Sequence, residues 1–284
     1  MLCTLNDVLP RARKLHYAVT AFDFVGDFYA RAILDVCEEK RAPVILSALP
    51  PDLEGRSLYY MTGIVRGVAK AYSIPIVLHL DHAEDFAVIK RAIEHGFTSV
   101  MFDGSHLPLT ENIRVTREVS IYAHARGVAV EAELGFVAGN DMDGNDQGSG
   151  RLTDPKEVEE FVAKTEVDAL AVSIGTAHGV YRSRPVLDLG RLAEIMAVTA
   201  VPLVLHGGSG TPEDQLGQAI EGGITKLNIY ADMRLAMNSA AAKVATVVEK
   251  RQDELPDRVL APFYQALREE AEKKLVLTRS LNRY

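Results

Sequence analysis

Tryptophan is absent from the 284 residues, aromatics supply only 7%, and there are two cysteines. Cys3 and Cys37 have neither the density of a disulfide scaffold nor the paired spacing of a thiolate metal site, which favours a reducing compartment and inert packing for both. Positive charge is also short: 31 Lys and Arg face 39 Asp and Glu, the formal net charge is -8, and no stretch forms a basic stripe. A polyphosphate backbone would be repelled on average, so nucleic acid is not an expected partner. No apolar run approaches the roughly 20 residues that span a bilayer. Residues 1–13 lack the apolar centre and small-residue cleavage site of a signal peptide. A cytoplasmic protein without a membrane partner is expected. What remains, 48% apolar and 25% charged residues, is the profile of a globular chain with a large core.

Short β-rich runs alternate with stretches of helical apolar spacing, bounded by caps and by Gly or Pro breaks. The strand candidates are Tyr17 to Asp23, Pro43 to Leu49, Pro75 to His82, Ser99 to Gly104, Ala129 to Gly135, Ala169 to Gly175, Pro202 to His206 and Thr225 to Tyr230. Several are almost continuously apolar, as parallel strands buried on both faces require. Helices are predicted over Asp85 to His95, Thr110 to Arg126, Asp154 to Thr165 and Pro212 to Glu221, the last with Thr211 as cap and Pro212 in the first turn. Eight βα units predict a (β/α)8 TIM barrel, one domain over residues 1–284, with a C-terminal helical extension after Met233 suited to subunit contact. A doubly wound open sheet is the structural alternative. An insertion from Phe136 to Thr153 widens the gap between the fifth and sixth strand starts to 40 residues. Leaving the C-terminal end of a strand, it reads as a lid over an active site; its polar, Gly-rich composition reads equally as a plain surface loop.

Histidines end three predicted strands or the turns after them: His82, His178 and His206. In a barrel these ends converge, and three neutral imidazoles with an open fourth position are the ligand set of a catalytic zinc or similar divalent ion. Carboxylates gather at the same rim: Asp81, Asp103, Glu131 and Glu133. Such charges are costly unless they bind a cation, orient a ligand or move protons. Strand alternation points Glu131 and Glu133 to one face, and Glu131 is the one more readily read as a solvated charge. His16, His79, His95, His106 and His124 are read as structural. Glycine-rich turns at Gly175 to Gly179 and Gly207 to Gly210, with the Asn228 end of the eighth strand, suit a phosphate site of backbone amides.

The segments His79-Leu-Asp-His82, Ser99-Val-Met-Phe-Asp-Gly-Ser105, Val130-Glu-Ala-Glu-Leu-Gly135, His178-Gly-Val-Tyr181, Leu203-Val-Leu-His-Gly-Gly-Ser-Gly210 and Lys226-Leu-Asn-Ile229 resemble, in order and spacing, the class II, metal-dependent fructose-bisphosphate and tagatose-bisphosphate aldolase family. The resemblance runs along essentially the whole chain. It implies that His82, His178 and His206 bind Zn2+, that Glu133 approaches or binds the metal in an alternative position, and that Asp81 is the acid/base for the hydroxyl at the bond being cleaved. Asp103 and Ser105 would orient the substrate and Asp81. Gly179, Gly207, Ser209 and Asn228 would hold the dihydroxyacetone phosphate portion, with a monovalent cation, Na+ or K+, nearby. The reaction implied is reversible retro-aldol cleavage of a ketose 1,6-bisphosphate to dihydroxyacetone phosphate and an aldehyde such as glyceraldehyde 3-phosphate, through a metal-stabilised enediolate. The family also implies a homodimer or homotetramer.

Four positions depart from the family pattern. The loop glutamate that deprotonates dihydroxyacetone phosphate corresponds to Asp141, one methylene shorter. The family's Ala-Phe-Asn is Ala21-Phe22-Asp23, a serine at the end of the second strand is Leu49, and the small or Thr-containing run after Asn-Ile is Tyr230-Ala231-Asp232. Metal and proton machinery are retained while the pocket differs, so the aldehyde half is open. Two other readings stay on the table: a metal-dependent sugar-phosphate epimerase or isomerase, and a non-catalytic sugar-phosphate-binding subunit.

Overall fold

The computed structural model describes residues 1–139, 150–179 and 184–284, apart from the side chains of residues 138, 139 and 178. Of eight strands, β1 (Val19–Asp23), β2 (Val44–Ala48), β3 (Ile76–Ala83), β4 (Ser99–Phe102), β5 (Ala129–Leu134), β6 (Ala169–Val172), β7 (Leu203–Leu205) and β8 (Ile224–Ile229), six fall inside an expected run, while β3 ends one residue after the expected His82 and β8 starts one residue before the expected Thr225. All neighbouring pairs are parallel, and the pairings of β8 with β1 and of β3 with β4 close the sheet into a ring. The fold is a TIM barrel, as expected.

Helices α2 (Asp27–Glu39), α3 (Ser57–Val68), α4 (Phe86–Glu94), α5 (Leu109–His124), α6 (Pro155–Thr165), α7 (Leu189–Val198), α8 (Glu213–Glu221) and α9 (Ala231–Lys250) follow β1 to β8 in turn. Their apolar stripes bury the outer faces of the strands in one large cluster that includes Phe22, Leu46, Leu80 and Leu134. Asp85 and Asp154 cap α4 and α6, accepting from Ala87 N at 2.7 Å and Lys156 N at 2.9 Å. The expected start of α8 is corrected: Pro212 is the boundary residue, and Thr211 Oγ1 donates back to Gly207 O at 2.9 Å instead of capping. A long α10 (Pro256–Leu277) packs on α9 and α2 as the C-terminal extension.

One helix was not expected. In α1 (Leu5–Leu15) the Asp7 carboxylate accepts from Thr4 N at 2.7 Å and Thr4 Oγ1 at 2.8 Å, fixing the first turn. Its buried face, Leu5, Val8, Leu9 and Ala12, plugs the barrel interior against Val19, Ala21, Ile45, Val77, Ala129, Ala169 and Val204. Those residues are the lower inward positions of the strands. The period of two then carries the next inward positions to polar side chains: Asp23 on β1, Ser47 on β2, His79 and Asp81 on β3, Glu131 and Glu133 on β5, Lys226 and Asn228 on β8. The interior is thus apolar at the α1 end and ionisable at the C-terminal end. Among the described residues no helix is long and apolar enough to cross a membrane.

Candidate active site

At the C-terminal mouth β3 carries an irregularity. Leu80 pairs with Val100 but Ala83 pairs with Phe102, so β3 has one residue more than β4 over that stretch. The extra residue is taken up by a bulge in which His82 adopts φ 46°, a left-handed conformation rare for a residue with a Cβ. In a regular strand Asp81 and His82 would point to opposite faces; here both line the same cavity.

His82 and His206 meet edge to face, with His206 Nδ1 2.7 Å from His82 Nε2. The outer nitrogen of each ring is held by a carboxylate. Asp103 Oδ2 lies 2.8 Å from His82 Nδ1, and Glu131 Oε1 lies 2.9 Å from His206 Nε2. Glu131 is in turn gripped by Lys226, whose Nζ donates to Oε2 at 2.7 Å and Oε1 at 2.9 Å. His79 closes the layer, its Nδ1 2.8 Å from Ser99 Oγ and its Nε2 3.4 Å from Asp81 Oδ1. All of Glu131, Lys226, His79 and His206 are buried. Glu131 therefore faces the interior and is not a solvated charge, and His79 belongs to the same network.

Asp81 is buried, with Oδ2 accepting from Asn228 Nδ2 at 2.8 Å and Oδ1 without a hydrogen bond. Burial works against its ionisation, but the Lys226 ammonium 3.8 Å away and His82 hold it well below the usual carboxylate range. Burial would likewise raise Glu131, yet Lys226 and His206 hold it down at about 2. Glu133 goes the other way: burial and the Asp103 charge push it up to about 8. Its Oε1 accepts from Val137 N at 3.2 Å, and its buried Oε2 has no hydrogen bond and lies 3.7 Å from His206 Nδ1. Asp23 is raised by burial and by Asp81 beside it.

Two imidazoles whose outer nitrogens are locked by carboxylates, and whose inner nitrogens converge with the unpartnered oxygens of Asp81 and Glu133, form a donor set that fits a divalent cation. Ligand atoms lie within 4.8 Å of one another in three sets, Asp81, His82 and His206, then His82, Asp103 and Glu133, and deeper in the barrel His79, Asp81 and Glu131, a spacing compatible with a shared metal ion. Residues 177 and 178 run as a short strand beside 138 and 139. Gly207 has φ 67° and approaches so closely that a Cβ there would lie 2.4 Å from Ala177 O, which seats this segment next to His206. The side chain of His178 lies outside the described residues, as does all of Asp141.

Asp81, His82, Asp103, Ser105, Glu133, Gly179, Gly207, Ser209 and Asn228 line one cavity of about 730 Å³, with buried His206 behind His82. Ser105 donates to Asp103 Oδ1 from N at 3.1 Å and from Oγ at 2.7 Å. That pair steadies His82, whereas Asp81 is steadied by Asn228. Ser209 Oγ accepts from Tyr230 N and Asp232 N, each at 3.2 Å, and so joins the turn after β7 to the N-terminus of α9. Missed at the sequence level were Lys226, Glu131 and His79 as one buried charge layer, and Arg234 on the cavity wall. Alternation from Asn228 to Lys226 was the available signal for the first.

A barrel whose mouth joins carboxylate-locked imidazoles to a buried carboxylate defines a metal-dependent barrel enzyme. A family model for fructose-bisphosphate aldolase class II matches residues 3–283. The structure is similar to the YdjI aldolase from Escherichia coli K12, at 31% identity and a TM-score of 0.87, covering 100% of this chain and 99% of that one. It is also similar to a Coccidioides immitis protein proposed to be a fructose-1,6-bisphosphate aldolase, at 34% identity, TM-score 0.86 and coverage of 97% and 96%. Fructose-bisphosphate aldolase from Campylobacter jejuni shares the fold at 23% identity, TM-score 0.81 and coverage of 100% and 97%. The chain belongs to the class II fructose-bisphosphate aldolase family. It is an aldolase of the metal-dependent class, acting on a phosphorylated sugar.

Proposed function

We propose that the chain is a zinc-dependent ketose-bisphosphate aldolase that reversibly cleaves a fructose- or tagatose-type 1,6-bisphosphate to dihydroxyacetone phosphate and an aldehyde such as glyceraldehyde 3-phosphate. The observation that carries this reading is Asp81, ionised, buried and fixed by Asn228, with an uncommitted oxygen beside two imidazoles locked for metal binding. His82, His178 and His206 would hold the ion, with Glu133 as an alternative ligand. When bound, it supplies a Lewis acid that stabilises negative charge on the ketone half of the substrate.

Asp81 Oδ1 accepts the proton of the hydroxyl on the far carbon as the carbon–carbon bond breaks; the hydroxyl oxygen becomes the aldehyde carbonyl and the bonding pair stays on the dihydroxyacetone phosphate half. Lys226 keeps Asp81 charged for this step. The carbon of the dihydroxyacetone phosphate half that kept the bonding pair then takes a proton, for which Asp141 is the proposed donor. Backbone amides around Gly179 and Gly207, with Ser209 and Asn228, hold the phosphate at the turn joined to the N-terminus of α9, where a Na+ or K+ ion could sit against the anion. The reading extends to residues 1–284 as one catalytic domain, assembled as a homodimer or homotetramer in the cytoplasm; its support is a single closed ring of strands, the C-terminal helices and two free cysteines.

The test is a coupled assay for dihydroxyacetone phosphate released from a panel of ketose mono- and bisphosphates, with zinc-loaded, EDTA-stripped and Asp81→Ala protein. Zinc-dependent release that collapses in the variant is expected. Stoichiometric metal binding without any release would sink the assignment and raise the isomerase and binding-subunit readings.

A further inference from the structure

Beneath the mouth, the barrel interior holds a second set of metal-type donors. His79, Asp81 and Glu131 are buried, and their ligand atoms lie within 4.8 Å of one another. A cation of the chain's own already fills the set. Lys226 Nζ stands 2.7 Å and 2.9 Å from the two Glu131 oxygens, 3.3 Å from His79 Nε2 and 3.8 Å from Asp81 Oδ1, and so faces every member. An ammonium offers donors only, so His79 Nε2 meets it with a lone pair and the ring proton sits on Nδ1, directed at Ser99 Oγ 2.8 Å away. A metal-binding imidazole is arranged in the same way, one nitrogen open to the ion and the other fixed by an oxygen. Asp81 Oδ1, on the same side of the set, is buried without a hydrogen bond. Among the described residues Lys226 is the one buried Lys or Arg.

We propose that Lys226 is a tethered occupant of this deep set, a positioning residue that keeps divalent metal out of the barrel interior and confines it to the mouth. The inference rests on the metal-dependent reading of the site and adds to it where the ion is allowed to go. The deep set and the set at the mouth share Asp81, so an ion in the deeper one would take the oxygen that the proposed proton transfer needs. It would also draw Glu131 away from His206 Nε2, 2.9 Å distant, and release the ring that Glu131 locks. A lysine prevents both losses. Its ammonium is a compact point charge that satisfies the acidic set, leaves no open coordination position, and is held there by its own stem, so that a free ion would have to displace it.

The test counts Zn2+ per chain by atomic emission after metal loading and gel filtration, with folding followed by circular dichroism. The wild-type protein should hold one ion and Lys226→Met two. Adding His79→Gln to Lys226→Met removes a donor of the deep set and should return the count to one. A folded Lys226→Met that stays at one ion overturns the proposal, and so does a wild-type protein that takes two. A double variant that still holds two ions overturns it as well, because the second ion then lies elsewhere. Should Lys226→Met be unfolded when metal-free, saturating Zn2+ is expected to fold it, since the divalent charge replaces the lost ammonium; a chain that stays unfolded in Zn2+ counts against the proposal. A wild-type protein that binds no Zn2+ would remove the metal-dependent reading itself, an outcome distinct from a wild type and a variant that bind one ion each.

Discussion

Lys226 stands between two buried carboxylates inside the barrel. With no exposed surface it counters Glu131 directly and Asp81 at 3.8 Å, so Lys226→Met would leave buried carboxylates without a counter-charge. The expected cost is about 3–5 kcal/mol, seen as a lower urea midpoint, and Lys226→Met with Glu131→Met should cost less than the sum of the two singles. Asp103→Asn tests a different function, since it removes the carboxylate that locks His82 while keeping the side chain's shape. Metal affinity should drop about 10–100-fold in a competitive chelator titration, with little change in stability of the metal-free protein. No change in affinity would remove Asp103 from the metal site. Asp81, His82, Asp103 and Glu133 were legible in the sequence because each ends a buried strand. Glu131 and Lys226 were not, because only the closed ring puts β5 and β8 across from one another, and single charges in separate strands do not announce their partners.

At the scale of elements, α1 and the α9–α10 pair make opposite statements. The plug α1 was invisible to a reading that began with strands, since its four buried residues look like an ordinary amphipathic terminus until the barrel floor is known. Leu9→Ala opens a cavity in that floor and should cost about 2–5 kcal/mol in denaturant unfolding, while kcat at a permissive temperature stays near the wild-type value. Between α9 and α10 the link is ionic: Lys274 Nζ reaches Asp232 Oδ2 at 2.5 Å and Glu270 Oε1 at 3.2 Å. Burial would lower the Lys274 ammonium, but the hydrogen bond and charge of Asp232 raise it above its ordinary value of 10.5. A folded-state value raised above the unfolded one stabilises below the unfolded value and is lost as pH climbs through and beyond it. Lys274→Met should therefore cost stability at neutral pH and narrow the gap to wild type in alkaline unfolding; a gap that stays constant with pH would show the pair to be inert. The start of α8 shifted by one residue for a local reason, since Thr211 Oγ1 donates to Gly207 O, while its end at Glu221 is as expected.

For the molecule as a whole, eight strands were readable because several are almost continuously apolar and all are buried, and their number and regular alternation with helices favoured a closed ring over an open sheet. The bulge at His82 was not readable, because it depends on the register between β3 and β4 and not on either strand alone. Removal of metal tests the whole assembly. If the mouth binds a divalent ion only when folded, saturation at about 100 times the dissociation constant adds about 2.7 kcal/mol, so EDTA should lower Tm by several degrees without altering the far-ultraviolet spectrum. An unchanged Tm would mean that the converging imidazoles bind no ion tightly. The floor built by α1 has a consequence for how such a protein can change over generations. Cohesion resides at one end of every strand and reactivity at the other, so substitutions that retarget the mouth, such as those at Asp23, Leu49 and Tyr230, draw little on the reserve that keeps the barrel shut. A lineage built this way can explore new acceptors by drift at the rim while its foundation stays the same.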